Sequence, residues 1–184
     1  MERQSQQFKS AVLGGGCFWC LEAAYQEIEG IQSVVSGYAG GSDPNPNYES
    51  VSSGATGHAE VVEIMFDPAV ISYTDVLDIF WAIHDPTTPG RQGNDVGSQY
   101  RSMILFDSDE QRLLAEESKV TAQKLWPNPI VTEIVPLEHF VKAEDYHQNY
   151  FRNHPEQGYC QVVINPKLRK LREKFHSRLK SELK

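Results

Sequence analysis

An apolar stretch from Ala11 to Leu13 reads as a strand that ends in Gly14-Gly15-Gly16, and a helix is expected from Cys17 to Ile28. Ile31 to Tyr38 has the character of a second strand, while the Gly-, Ser-, Pro- and Asn-rich run from Gly40 to Gly57 reads as a loop. Alternating apolar and β-branched residues predict a strand over Ala59 to Phe66. Val76, Leu77, Ile79, Phe80 and Ile83 then recur at helical spacing, which predicts a crossover helix over Thr74 to Ile83.

A second long loop is expected over His84 to Gln99, followed by a strand at Tyr100 to Phe106. Ser108 is placed to cap a helix over Asp109 to Leu125, with acidic residues in its first turn and Pro127 and Pro129 beyond its end. The remainder reads as a strand at Ile130 to Val135, a short helix at Ala143 to Asn153, a strand at Cys160 to Ile164 and a basic C-terminal helix from Lys167 to Lys184. Strands and helices interleave without a continuous doubly wound pattern. The expected fold is therefore α+β: a two-layer α/β sandwich with a mixed, largely antiparallel sheet and a ferredoxin-like core.

The chain has 184 residues, which suits one well-buried core, so a single domain over 1–184 is expected, with residues 1–9 as a flexible N-terminus. Its 17 basic residues against 25 acidic ones give a formal charge of −8, which argues against a nucleic-acid backbone or an anionic membrane as partner. The cations between Lys167 and Lys184 read as a solvated helix face. No segment has the apolar length of a signal peptide core or a membrane span, and a cytoplasmic location is expected. Three cysteines do not make a secreted disulfide framework; they point to reactive or redox-cycling thiols.

The richest chemistry lies at Cys17-Phe18-Trp19-Cys20. A thiol at a helix start meets unpaired N–H groups and the positive end of the helix dipole, which should favour its anion. Phe18 and Trp19 suit a small apolar pocket. Cys17 and Cys20, three residues apart, share a helix face close enough for a disulfide, and a zinc half-site is disfavoured because no second cysteine pair exists. Cys160, at a turn that leads into an apolar run, has a structural reading and a second one as a thiol that attacks an oxidised Cys17. Glu60 follows Gly57-His58-Ala59; burial there would raise its pKa and make it a general acid near neutral pH, while an exposed strand end is the simpler reading. His58 reads equally well as a surface residue. Tyr48 and Tyr100 border the two loops and could bind a polar oxygen, though packing is the default for each. Asp85 and Asp95 read as turn caps, and Tyr146-His147-Gln148-Asn149-Tyr150 as a polar and aromatic helix face.

In their order, Gly16-Cys17-Phe18-Trp19-Cys20, Tyr38-Ala39-Gly40-Gly41, Asn47-Tyr48-Glu49, Gly54 to Glu60, Gln92 to Ser102 and Tyr146-His147-Gln148 resemble the peptide methionine sulfoxide reductases of the A type. The resemblance runs from about Ala11 to Ile164. It implies reduction of the S epimer of methionine sulfoxide, free or in proteins, as repair after oxidation. It implies Cys17 as nucleophile on sulfur, Phe18 and Trp19 around the substrate methyl group, Glu60 as acid, Tyr48 and Tyr100 as donors to the sulfoxide oxygen, and Asp95 in support. A Cys17 sulfenic acid would then be condensed to a disulfide by Cys160, with Cys20 as the alternative resolving thiol, and thioredoxin would reduce the disulfide. The resemblance suggests no metal and no organic cofactor; a monomer is expected.

Three positions depart from the pattern. Some relatives carry cysteine where this chain has Ser52, some continue past Gly158-Tyr159-Cys160 into a glycine-rich tail with another cysteine, and many have glycine in place of Cys20. Two readings of a different class remain beside the reductase: a thioredoxin-like dithiol exchanger using Cys17 and Cys20, and a noncatalytic thiol sensor of oxidants.

Overall fold

A computed structural model describes residues 7–184. The chain runs β1 (Lys9–Gly14), α1 (Phe18–Tyr25), β2 (Ile31–Ala39), α2 (Tyr48–Ser52), β3 (Ala59–Phe66), α3 (Tyr73–Ile83), β4 (Arg91–Gln92), β5 (Asp95–Val96), β6 (Met103–Phe106), α4 (Asp109–Gln123), β7 (Glu133–Pro136), β8 (Phe140–Lys142), α5 (Tyr150–Asn153) and α6 (Asn165–Lys174). Lys9, within the N-terminus expected to be flexible, opens β1; residues 1–6 lie outside the described residues.

The main sheet has the order β7-β6-β1-β3-β2-β8. β1 pairs antiparallel with β3 and β6, β2 pairs antiparallel with β3 and β8, and β6 and β7 run parallel. The sheet is mixed, as expected. Two-residue alternation sorts side chains between its faces. On β3, Val62, Ile64 and Phe66 join the large core beneath the helices, whereas Ala59 and Val61 join a smaller cluster on the other face with Val12, Met103 and Leu105. Glu60 keeps step with Val62 and Ile64, so its carboxyl is carried to the helix-covered face, under α1.

Helices α3 and α4 form where expected, with caps that supply partners for free N–H groups. Ser108 accepts from Gln111 N at the start of α4, and Ser72 and Asp75 make a reciprocal capping box on α3. Inside the expected loop of residues 40–57, Asn47 and Ser50 build the same device and support α2. That turn carries Tyr48.

Other segments differ from expectation. Cys160–Ile164 is a π-helical turn that runs into α6, not a strand. Cys160, Ile164, Leu168 and Leu171 are buried while Val162 is exposed, a helical rhythm that outweighs the strand preference of Val162, Val163 and Ile164. The expected helix at Ala143–Asn153 is broken into a 3₁₀ turn at Asp145–His147 and α5, because Asn149 sits in the left-handed region at φ 54°. The C-terminal helix stops at Lys174, and the basic segment is not wholly solvated: Arg172 on the helix pairs with Glu27 at 2.8 Å, and Arg178 in the turn beyond it with Asp75 at 2.6 Å. Among the described residues no helix is long and apolar enough to cross a membrane.

Candidate active site

β1 lies inside the sheet, so the chain that leaves it must turn sharply to place α1 on the helix-covered face. Gly16 makes that turn at φ 93°, a conformation that L side chains rarely adopt. A Cβ at this position would also lie 2.6 Å from Cγ of Gln92. Gln92 cannot easily move away, since its amide accepts from Asp85 N and donates to Asp85 O, both at 2.9 Å. The turn delivers Cys17 to the N-cap position of α1.

Glu60 is buried, and its Oε2 accepts from the backbone N–H of Phe18 at 3.0 Å. The exposed strand end that was the simpler reading is thus excluded. Burial pushes the carboxyl up to about 8, aided by the charges of Asp95 and Cys20 and opposed by the Phe18 bond. Glu60 is mainly protonated at neutral pH and keeps a proton available at the site.

Cys17 does not fit the simple helix-start expectation. It is buried, and burial first, then its hydrogen bond with Cys20 and the charge of Glu60, raises its pKa well above the ordinary thiol value. Desolvation outweighs the N-terminal field of an eight-residue helix. Cys20 is shifted the opposite way, chiefly by the bond from Cys17. The hydrogen bond between the two sulfurs thus raises Cys17 and lowers Cys20.

Tyr48 and Tyr100 converge on the same place from α2 and from the Ser98–Tyr100 turn. After burial, the charge of Glu60 is the largest cause that raises each phenol, and both also feel Cys17. Tyr48 is 38% exposed, which opens the site to solvent on that side.

Phe18 is fully buried, and its ring lies 6.4 Å from that of Trp19. The Trp19 indole stacks on Tyr150 at 3.6 Å and 5°, meets Tyr159 edge-on at 5.8 Å, and donates from Nε1 to Nδ1 of His147 at 3.2 Å. Asp95 accepts from the Tyr159 hydroxyl at 2.6 Å, and that oxygen also lies 3.8 Å from Sγ of Cys20. Asp95 therefore reaches the thiols through Tyr159 rather than standing alone as a turn cap.

Cys160 is fully buried; burial raises its pKa and the charge of Cys20 adds to the rise. Cys20 is thus hydrogen-bonded to Cys17, and its charge is felt by Cys160. All three thiols are free. His58 is buried, not superficial: its Nδ1 accepts from Gly41 N at 3.1 Å and its Nε2 meets Asp43 O at 2.7 Å, tying together the loop before α2. Asp85 does cap its turn, accepting from Thr87 N at 2.9 Å.

Several residues that shape the site escaped the sequence reading, which took residues 146–150 as packing. Glu144 accepts from Tyr48 N and from the Tyr38 hydroxyl, each at 2.8 Å, and Glu22 accepts from Asn149 N at 2.9 Å and Tyr150 N at 3.3 Å. Nothing local marked either residue: in sequence both read as ordinary surface acids.

A thiol pair at a strand-to-helix turn, beside a protonated carboxyl and within the field of two phenols, with aromatic rings packed around it, has the donor and acceptor groups that thiol-based redox chemistry needs. A family model of peptide methionine sulfoxide reductase matches residues 9–179. The chain is 59% identical over 169 residues to a peptide methionine sulfoxide reductase MsrA of Polynucleobacter asymbioticus, covering 91% of this chain and 89% of that one. It is 60% identical to the MsrA of Leptospira borgpetersenii, over 88% and 92% of the two chains. Among solved structures, reduced Mxr1 from Saccharomyces cerevisiae superposes with a TM-score of 0.78 at 35% identity, covering 86% of this chain and 92% of that one. Mxr1 in complex with Trx2 is also similar, at a TM-score of 0.56 and 28% identity, over 82% and 89% of the chains. The chain belongs to the peptide methionine sulfoxide reductase family, and its activity is that of a peptide-methionine (S)-S-oxide reductase.

Proposed function

We propose that Cys17 attacks the sulfur of the S-sulfoxide while Glu60 delivers a proton to the sulfoxide oxygen. The observation that carries this reading is the buried, protonated Glu60 held by the Phe18 N–H beside Cys17. A thioether must leave and oxygen must pass to sulfur, so the oxygen needs a proton as the S–O bond breaks. Tyr48 and Tyr100 donate to that oxygen as its charge grows. Phe18 and Trp19 line the methyl site, where indole and sulfur also attract. Asp95 supports the wall through Tyr159. As Cys17 attacks, its own proton passes to Cys20, already its hydrogen-bond partner.

The products of this step are methionine and a Cys17 sulfenic acid. Attack by a second thiol then forms a disulfide and releases water. Cys160 was the expected resolver, but Cys20 is the thiol in contact with Cys17, and we assign it the first disulfide. Cys160 can then attack Cys20, freeing Cys17 and leaving a Cys20–Cys160 bond. Thioredoxin is the proposed reductant, by analogy with the Mxr1–Trx2 complex.

Substrates are proposed to be free and protein-bound sulfoxides, in a single-domain, monomeric, cytoplasmic enzyme that repairs oxidised protein. The order β6-β1-β3-β2 within the sheet supports reading the core as ferredoxin-like and the layers as a two-layer sandwich with a largely antiparallel sheet.

The test is peptide mapping after a single turnover without reductant. The Cys160→Ser variant should yield one methionine and a Cys17–Cys20 disulfide. A Cys20→Ser variant that still closes a Cys17–Cys160 bond at the wild-type rate would contradict the assignment.

A further inference from the structure

The reaction above uses neither of the imidazole nitrogens that sit behind Trp19. His147 is almost fully enclosed, with its ring 5.0 Å from Phe18, 5.7 Å from Trp19 and 4.8 Å from Tyr48. These are the residues assigned to the methyl site and to the sulfoxide oxygen. The indole N–H can only donate, so Nδ1 of His147, 3.2 Å away, must present its lone pair. The ring is then neutral with its proton on Nε2, which points to Glu144 Oε2 at 3.6 Å and makes no hydrogen bond of its own.

We propose that His147 is the positioning residue for Trp19: its unprotonated Nδ1 fixes the indole that walls the methyl site, and protonation of the ring releases that wall. The proposal rests on the reading of Trp19 as a pocket residue. Its physical basis is that a single acceptor sets the rotation of a large ring, while the Tyr150 stack alone fixes the plane and leaves the ring free to slide within it. In the imidazolium, both nitrogens donate, and two N–H groups would then face each other across 3.2 Å.

The groups that face His147 decide when this happens. Glu144 favours the cation; the rings of Phe18, Trp19, Tyr48 and Tyr146 surround it and carry no charge at neutral pH. Burial outweighs Glu144 and moves the ring's titration below the ordinary histidine value, so the wall is locked at neutral pH and loosens on the acid side.

The experiment first reads the indole proton directly, without substrate, and then KM. In a ¹⁵N-labelled protein the Trp19 Nε1–H signal is identified by its loss in Trp19→Phe, and the Trp81 indole, bonded to Ser118 at 2.7 Å, serves as the reference. In the wild type the Trp19 signal should be protected from solvent exchange at pH 7.5 and should shift with a midpoint below 6.5, while Trp81 stays fixed. His147→Phe should lose both protection and titration and raise KM for a small sulfoxide roughly three- to tenfold, with kcat changed less. His147→Asn, which offers an amide oxygen near the place of Nδ1, should restore protection and KM but not the titration. Full protection in His147→Phe, or a wild-type Trp19 signal that is invariant between pH 5 and 8, overturns the proposal. Should His147→Phe fail to fold, the wild-type titration and the His147→Asn comparison still decide it. Failure here leaves the Cys17 reaction intact, whereas failure of the reading of Trp19 as a pocket residue would appear as a KM unchanged in Trp19→Ala.

Discussion

Replacing Glu60 by glutamine removes a proton while leaving the shape of the site. The amide oxygen of Glu60→Gln can still accept from Phe18 N, now at 3.0 Å, and its NH₂ can still donate toward a bound sulfoxide. What is lost is transfer. General acid catalysis contributes about 10²- to 10⁴-fold, so the rate of the first methionine released in a single turnover should fall by that factor with KM changed little. In the wild type, a carboxyl titrating at about 8 makes the rate decline on the alkaline side through that pH, a limb the variant should lack.

The same burial leaves a thermodynamic signature. The folded carboxyl titrates at about 8 against an ordinary value of 4.5, so between these pH values the native state keeps a proton that the unfolded chain has released. Stability therefore falls as pH rises through this window, by roughly 3 kcal/mol at pH 7 relative to pH 4. Glu60→Gln should be more stable than the wild type at pH 7 by a comparable amount, with the advantage gone near pH 4, as read from urea unfolding. A variant that turns over within threefold of the wild type, or is less stable at pH 7, would refute the reasoning.

Gly16→Ala places a Cβ at a positive φ and against the Gln92 side chain, and should cost roughly 1–3 kcal/mol in urea unfolding; a change below about 0.5 kcal/mol would contradict the account of the turn. Tyr48→Phe and Tyr100→Phe should each slow the single-turnover step roughly 10- to 100-fold without loss of fold; a double variant within a factor of three of the wild type would remove both from the reaction.

The parts of the site that announced themselves were those with local causes. Gly16 before Cys17 and the aromatic pair after it could be argued from spacing, whereas Glu60 read more simply as an exposed strand end and gained its role only from the resemblance; the structure brings Cys17, Glu60, Tyr48 and Tyr100 together. The helices at Thr74–Ile83 and from Asp109 were legible because their caps and apolar periods agree. The missed features depend on distant contacts. Glu22 looks like an ordinary helical acid until Asn149 and Tyr150 bring their N–H groups to it across more than a hundred residues. His147 reads as packing until the indole of Trp19 donates to it. Cys160–Ile164 misled because β-branched residues follow a turn, although burial every third or fourth residue from Cys160 to Leu171 carried the helical period. The direction of the Cys17 shift was misjudged because helix position was weighed without burial.

The central claim is that oxygen passes from the S-sulfoxide to Cys17. It is tested most directly by a Cys20→Ser/Cys160→Ser double variant given one equivalent of each epimer in the presence of a sulfenic-acid trapping diketone, followed by mass spectrometry. The account predicts one methionine per enzyme from the S epimer, none from the R epimer, and the adduct on Cys17. Methionine without an adduct at Cys17, or equal turnover of the R epimer, would contradict it.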